Sequence, residues 1–205
     1  MNATSDYIIG NQTINEGPMP DPMSDLLALC LQNDRRAQRQ LFNFYKDKVH
    51  NLVYKSLGPK FDTDDVIQLV FIELFKSLSY FKGDASLDTW VYRICVKVCT
   101  TQLRKKYRKR QVQLVFDTEH TEIQADTSID NTSAQIERKE LTKAIYQALD
   151  KLDSEKRMTV VLYEIDGKSL EEIASIANIP LGTVKSRLFH GRKILEKHLK
   201  NFMEQ

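Results

Sequence analysis

Apolar residues recur every three or four positions along most of this chain, and strict alternation is rare. Leu26, Leu29 and Cys30 start the pattern, and Leu41, Phe44, Tyr45, Val49, Leu52 and Val53 continue it. That spacing stacks apolar side chains on one face of a helix. Ser24 is placed to cap a helix from Asp25, a break is expected near Asn33–Asp34, and Gly58-Pro59 ends the run. A second stripe follows a cap at Asp62 or Thr63: Val66, Ile67, Val70, Phe71, Leu74, Phe75 and Leu78. After a turn at Lys82-Gly83-Asp84, a third uses Leu87, Trp90, Val91, Ile94, Cys95 and Val98. Residues 111–136 hold no period and are rich in Thr, Ser, Asp and Gln, which predicts an extended or disordered linker. Helical spacing resumes near Ile136 with Leu141, Ala144, Ile145, Ala148, Leu149 and Leu152, then Met158, Val161, Leu162 and Ile165 up to Gly167. Ser169 and Glu172 have the spacing of a capping box for a helix over 170–177. Asn178-Ile179-Pro180 is a turn, and a last helix, about 181–200, buries Val184, Leu188, Gly191, Ile194, Leu195 and Leu199. The expectation is an all-α protein.

Composition narrows the class. A hydrophobic fraction of 41% supports small cores. No apolar run approaches the ~18 residues of a membrane span, so no membrane insertion is expected. The N-terminus has neither a basic start nor an apolar segment of a secretory signal, and residues 1–22, with Pro18, Pro20 and Pro22, read as a flexible leader. Cys30, Cys95 and Cys99 are an odd set with no disulfide-framework spacing, which points to free thiols in a cytoplasmic protein.

Net charge is only +2, but the signs are segregated. Residues 97–110 carry Lys97, Arg104, Lys105, Lys106, Arg108, Lys109 and Arg110 with no acid between them. Residues 111–137 carry Asp117, Glu119, Glu122, Asp126, Asp130 and Glu137 with no Lys or Arg. The basic run has the density to neutralise several phosphates and release their counterions. Its rival reading is a solvated helix end. Ahead of it stand Asp62, Asp64, Asp65 and Glu73, which lack a histidine or further carboxylate at metal-ligand spacing, so no metal, cofactor or catalytic set is expected.

Ser169–Leu199 has the dimensions of a helix-turn-helix: short capped helix, tight turn, longer second helix. Thr183, Lys185, Ser186, Arg187, His190, Arg192 and Lys193 fall off the apolar face of the second helix. Lys185 and Arg187 are placed to reach base edges or phosphates of a major groove, and Arg192 and Lys193 to reach phosphates.

These residues resemble a known family. SLEEIASIANIPLGTVKSRLFHGRKIL looks like region 4 of the sigma-70 family of bacterial RNA polymerase sigma factors, in its extracytoplasmic-function (ECF) branch. DTDDVIQLVFIELF resembles the region 2 helix that docks on the β′ clamp coiled coil, and FKGDASLDTWVYRICVKVCTTQLRKKYRK the reader of the promoter −10 element. The resemblance spans about residues 24–200. It departs at Leu69, where many members carry an acid, and at Cys95 and Cys99, which replace small apolar residues.

The resemblance implies two small helical domains, a region 2 bundle over 23–110 and a region 4 helix-turn-helix over 137–205, joined by a flexible acidic linker over 111–136. It implies polymerase contacts from Asp64, Asp65 and Gln68. It implies −10 contacts from Lys82, Asp84, Ser86, Thr89, Tyr92, Arg93, Lys97, Arg104, Lys105 and Arg108. The −35 element falls to the second helix of the helix-turn-helix. Implied partners are core RNA polymerase (β′ clamp and β flap), promoter DNA and, by family habit, an anti-sigma factor. The competing function is a stand-alone helix-turn-helix regulator, which the acid–aromatic–basic succession of Phe61–Arg110 argues against.

Overall fold

A computed structural model describes residues 22–59, 61–116 and 133–203. The expected leader, apart from Pro22, and the linker from 117 to 132 lie outside the described residues. Among the described residues all regular structure is helical: α1 (Pro22–Leu31), α2 (Arg35–Leu57), α3 (Thr63–Ser77), α4 (Leu87–Phe116), α5 (Ser133–Leu149), α6 (Ser154–Val160), α7 (Leu170–Ala177) and α8 (Leu181–Met203). Contacts divide the chain after Leu41 into a small N-terminal unit and a large one covering 42–205.

In the small unit, α1 begins three residues before the expected Asp25, so Ser24 lies in its first turn instead of capping it. Proline suits a first helical position because its missing N–H has no acceptor there anyway. The expected break at Asn33–Asp34 is present. Asn33 takes a left-handed φ of 61°, and the Asp34 carboxylate accepts from the backbone N–H groups of Arg36 at 2.7 Å and Ala37 at 2.8 Å, starting α2.

In the large unit, α3 packs along α4. Val66, Val70, Phe71 and Leu74 of α3 are buried, as are Val91, Ile94, Cys95, Val98, Cys99 and Leu103 of α4. Each such side chain contributes about 1.5–3 kcal/mol by leaving water. Asp62 caps α3 by accepting from the Asp65 N–H at 3.3 Å. Phe44, expected in the core, is 54% exposed. Burial on α2 follows Tyr45, Val49, Leu52 and Val53, and Phe44 falls just off that face. α4 is longer than its apolar pattern, running through Phe116 into the segment expected to be linker.

The second core joins α5, α6 and α8 around Leu149, Leu152, Val160, Val161 and Leu188. Gly191 permits the closest approach. A Cβ there would sit 2.7 Å from the Val160 side chain. Leu141 and Ile165, both expected in this core, are exposed. For Ile165 the cause is a π turn over Val161–Ile165, which inserts one residue into the helical period. The capping box is complete: the Glu172 N–H donates to Ser169 Oγ at 3.1 Å, and the Ser169 N–H to Glu172 Oε2 at 2.8 Å. Asn178 closes α7 with a left-handed φ of 52°.

The two cores are joined by a buried polar network. Arg157 is fully buried, and its guanidinium donates to the carbonyls of Ser56 at 2.8 Å and Leu57 at 2.9 Å. Those carbonyls end α2 and have no acceptor role left inside the helix. A third donor of Arg157 meets the Asp150 carboxylate, which Lys106 of α4 also holds at 3.1 Å. Burial works to raise the Asp150 pKa, but the two cations overcome it and hold the carboxyl below its ordinary value of 3.8.

Candidate nucleic-acid interface

The expected site residues fall on three faces, in different surroundings. On α3, Asp64, Asp65 and Gln68 are exposed. Leu69 and Ile72, 40% and 46% exposed, lie on the same side at helical spacing. This is an acid-and-apolar face suited to a partner helix carrying cations. Sequence reading treated Leu69 only as a departure. Its exposure beside Ile72 makes it part of the face.

The connection before α4 presents Lys82 and Asp84 to solvent, with Gly83 at φ 78°. Ser86 and Thr89 are used locally. Ser86 Oγ accepts the Thr89 N–H at 3.2 Å and lies 3.0 Å from Thr89 Oγ1, so it caps α4. Trp90 is half-buried against Phe81, with ring centroids 5.3 Å apart, as expected of a packing tryptophan. Tyr80, 77% exposed just before the loop, is the aromatic available for stacking, and its place outside the apolar stripe was its only signal.

α4 splits its candidates. Lys97, Lys105 and Arg108 are exposed. Lys97 has only a 3.8 Å pairing with Glu73. Tyr92, Arg93 and Arg104 are all engaged with the C-terminal half. Tyr92 donates to Asp166 Oδ2 at 3.1 Å, and Lys168 sits 4.6 Å above its ring. Burial, then Asp166, pushes the Tyr92 hydroxyl well above its usual range. Arg93 Nε donates to the Ser175 carbonyl at 3.1 Å. Arg104 pairs with Glu155, whose carboxyl is lowered from 4.5 because Arg104 and Ser154 outweigh the opposing effect of burial.

On α8 the helix-turn-helix geometry leaves Lys185, Ser186, His190 and Lys193 exposed along one side. Thr183 and Arg187 are half-buried, and Arg187 lines a cavity of about 300 Å³ against α4. Arg192 pairs with Glu164 at 2.5 Å and stacks over Tyr163. Phe189, 64% exposed between these polar groups and edge-on to His190, was missed because it is apolar. Its register, four residues after Lys185, was the available signal.

Two family descriptions match the chain in order: Sigma-70 region 2 over residues 41–109, and Sigma-70, region 4 over residues 142–195. The ECF RNA polymerase sigma factor SigW of Bacillus subtilis (strain 168) is 33% identical over 175 residues, covering 83% of this chain and 92% of that protein. This chain belongs to the ECF family of sigma-70 factors. The sigma factor is also 31% identical to the ECF RNA polymerase sigma-E factor of Escherichia coli (strain K12) over 87% of its own length and 95% of that protein. Two solved structures share the sigma factor's fold at 23% identity. CnrH in complex with the cytosolic domain of CnrY has a TM-score of 0.56, covering 86% of this chain and 96% of that one. The sigma factor RpoE in complex with the anti-sigma factor NepR from Bartonella quintana has a TM-score of 0.53, covering 79% and 96%. The sigma factor has no helix among its described residues long and apolar enough to cross a membrane.

Proposed function

We propose that this ECF sigma factor directs core RNA polymerase to specific promoters and assists melting at initiation, acting in the cytoplasm. The single observation that carries the reading is the order of two family modules in one chain, each with an exposed polar face. The α3 face, with Asp64, Asp65 and Gln68 beside Leu69 and Ile72, docks on the basic surface of a polymerase helix. The loop with Lys82 and Asp84, and Tyr80 ahead of it, meets unpaired bases of the −10 element, and the cations of α4 neutralise flanking phosphates. The exposed side of α8 enters the −35 major groove, where Lys185, Ser186 and His190 reach base edges and Lys193 a phosphate. Such a factor needs no catalytic group, because phosphodiester chemistry belongs to the polymerase. The RpoE–NepR complex supports an anti-sigma factor as a further partner class.

Run-off transcription with purified core polymerase on genomic promoter fragments tests the reading. The expected result is discrete transcripts that require both proteins. Failure of the chain to bind core enzyme overturns it. A stand-alone regulator would instead bind duplex promoters without polymerase, and the match over nearly the full length of two sigma factors disfavours it.

A further inference from the structure

We infer that a cavity walled by the end of α2, by α4 and by α5 binds a free nucleoside phosphate, at a place no proposed polymerase or promoter contact uses. Its volume is about 340 Å³, at the small end of the roughly 300–1,000 Å³ range of small-molecule sites. That size suits one mononucleotide. The apolar wall is made by Leu57, Gly58 and Pro59 with the rings of Tyr54 and Tyr146. The two rings meet edge to face, with centroids 6.5 Å apart and planes at 79°. Tyr146 is fixed in place. Its hydroxyl donates to the Tyr54 carbonyl at 3.2 Å, and its ring lies where a Gly58 Cβ would stand, 2.6 Å away. Gly58, at φ 85°, therefore makes the room for that ring. Tyr54 is 40% exposed and so within reach of a ligand. Rings held this way take a flat heterocycle by stacking or by edge contact.

The rest of the lining is cationic. The Lys106 ammonium lies 3.1 Å from Asp150 and 4.9 Å above the Phe61 ring, on a side chain only 28% exposed. Asp150 is the one acid lining the cavity among the described residues, and it also serves the buried Arg157. One carboxylate between two cations leaves a positive charge uncompensated where water is scarce. An anion gains more there than on an open surface. α5 adds to that charge. Arg138, Thr142 and Tyr146 form one row at four-residue spacing, and Lys139, Lys143 and Gln147 the row beside it. Arg138 and Lys143 make no ion pair among the described residues. Glu137 and Glu140 of the same helix do not line the cavity, and Lys55, next to Tyr54, is engaged elsewhere, with Asp166 at 2.8 Å. Four lining cations against one acid favour a multiply charged phosphate over a single carboxylate. The rings select a base and the cations a phosphate, and the cavity holds both within the span of one nucleotide.

The test uses the isolated full-length chain and needs no polymerase, so its result is independent of the proposed function. Isothermal titration with adenosine diphosphate and with guanosine diphosphate should show one site per chain. At least one of them should bind about tenfold or more tighter than adenosine alone or inorganic pyrophosphate alone. Arg138→Gln with Lys143→Gln, at two exposed positions, should weaken that binding about tenfold. Lys46→Gln with Lys76→Gln, two exposed cations away from the cavity, is the charge-matched control and should leave it unchanged. Tyr54→Leu should weaken the nucleotide and leave pyrophosphate unaffected. Amide shifts in a ¹⁵N-labelled sample should move around Tyr54–Pro59, Lys106 and Arg138–Asp150. Equal weakening in the double variant and its control overturns the inference, because the attraction would then be diffuse. Pyrophosphate binding as tightly as the nucleotides overturns it too, as do shifts confined to α8 or no binding at about 1 mM ligand, the weak end of the affinity scale.

Discussion

The outer side of α8 and the inner side of α4 carry similar cations and meet opposite surroundings. Lys185 and Lys193 project into water with no ion pair among the described residues. Arg93 and Arg104 are equally basic in sequence, yet each is bonded to a residue of the other half. The difference comes from neighbours. α8 turns its apolar stripe into the α5–α6 core, which leaves its cations outside. α4 packs on α3 and also on α6 and α7, and it meets these last two through Arg104–Glu155 and Arg93–Ser175, so those cations face a second packed surface. Charge density along a helix therefore says how strongly it can attract phosphate, and the packing decides whether that attraction is available.

The strongest way to break this comparison is at Arg157. Arg157→Ala leaves Asp150 and two α2 carbonyls without their buried partner and should destabilise the protein by about 3–5 kcal/mol. Urea unfolding followed by circular dichroism reads the loss. An unchanged midpoint would mean that the network does not hold the halves together. Next is the α3 face, which is open like α8. Asp65→Arg should leave that midpoint within about 0.5 kcal/mol, the usual range for a surface change, while gel filtration shows loss of holoenzyme assembly. On α8, Lys185→Ala should weaken −35 duplex binding by about 1–3 kcal/mol if the side chain reaches a base edge. A uniform, salt-sensitive loss on every sequence would reassign it to phosphate.

Acid sharpens the same contrast. The Asp150 and Glu155 carboxyls are both lowered in the folded chain, so their charged forms stabilise it above the ordinary values of 3.8 and 4.5. That contribution is lost as pH falls through the lowered values. Stability should drop between pH 5 and pH 3, about where carboxylates protonate, and less steeply in Glu155→Gln; pH-dependent urea midpoints check it. The smallest effect concerns α4's buried side. Burial pushes the Cys95 thiol up and the Cys99 thiol up to about 12, so little thiolate exists at neutral pH. A thiol reagent should label both slowly in native protein and fast in urea.

Much of the fold was legible because it is written in local chemistry. The Ser169–Glu172 box, the Asn178 turn, the Gly58 stop and the Asp62 cap each involve residues within a few positions of one another. The α3 face and the outer side of α8 were legible for the same reason: one helix shows both its stripes. The missing parts are long-range. Nothing near Arg93 points to Ser175, and nothing near Ser56 points to Arg157, although Arg157 stands on an apolar stripe between Ser154 and Val161. A cation in that register is a signal of burial. Phe44, Leu141 and Ile165 show the converse, since apolar character at helical spacing does not guarantee a neighbour to cover it.

The π turn at Val161–Ile165 sets a phase. Its hydrogen bond runs from the Asp166 N–H to the Val161 carbonyl, five residues back, at 2.9 Å. One residue of an α-helix amounts to about 100° of rotation. Removing a single residue from this turn would swing Asp166 away from both Lys55 and Tyr92 and turn the capped start of α7 with it. The grip between the halves and the aim of the helix-turn-helix therefore depend on one count, the number of residues between Arg157 and Ser169. Deletions and insertions there should be far less tolerated than substitutions at the same positions.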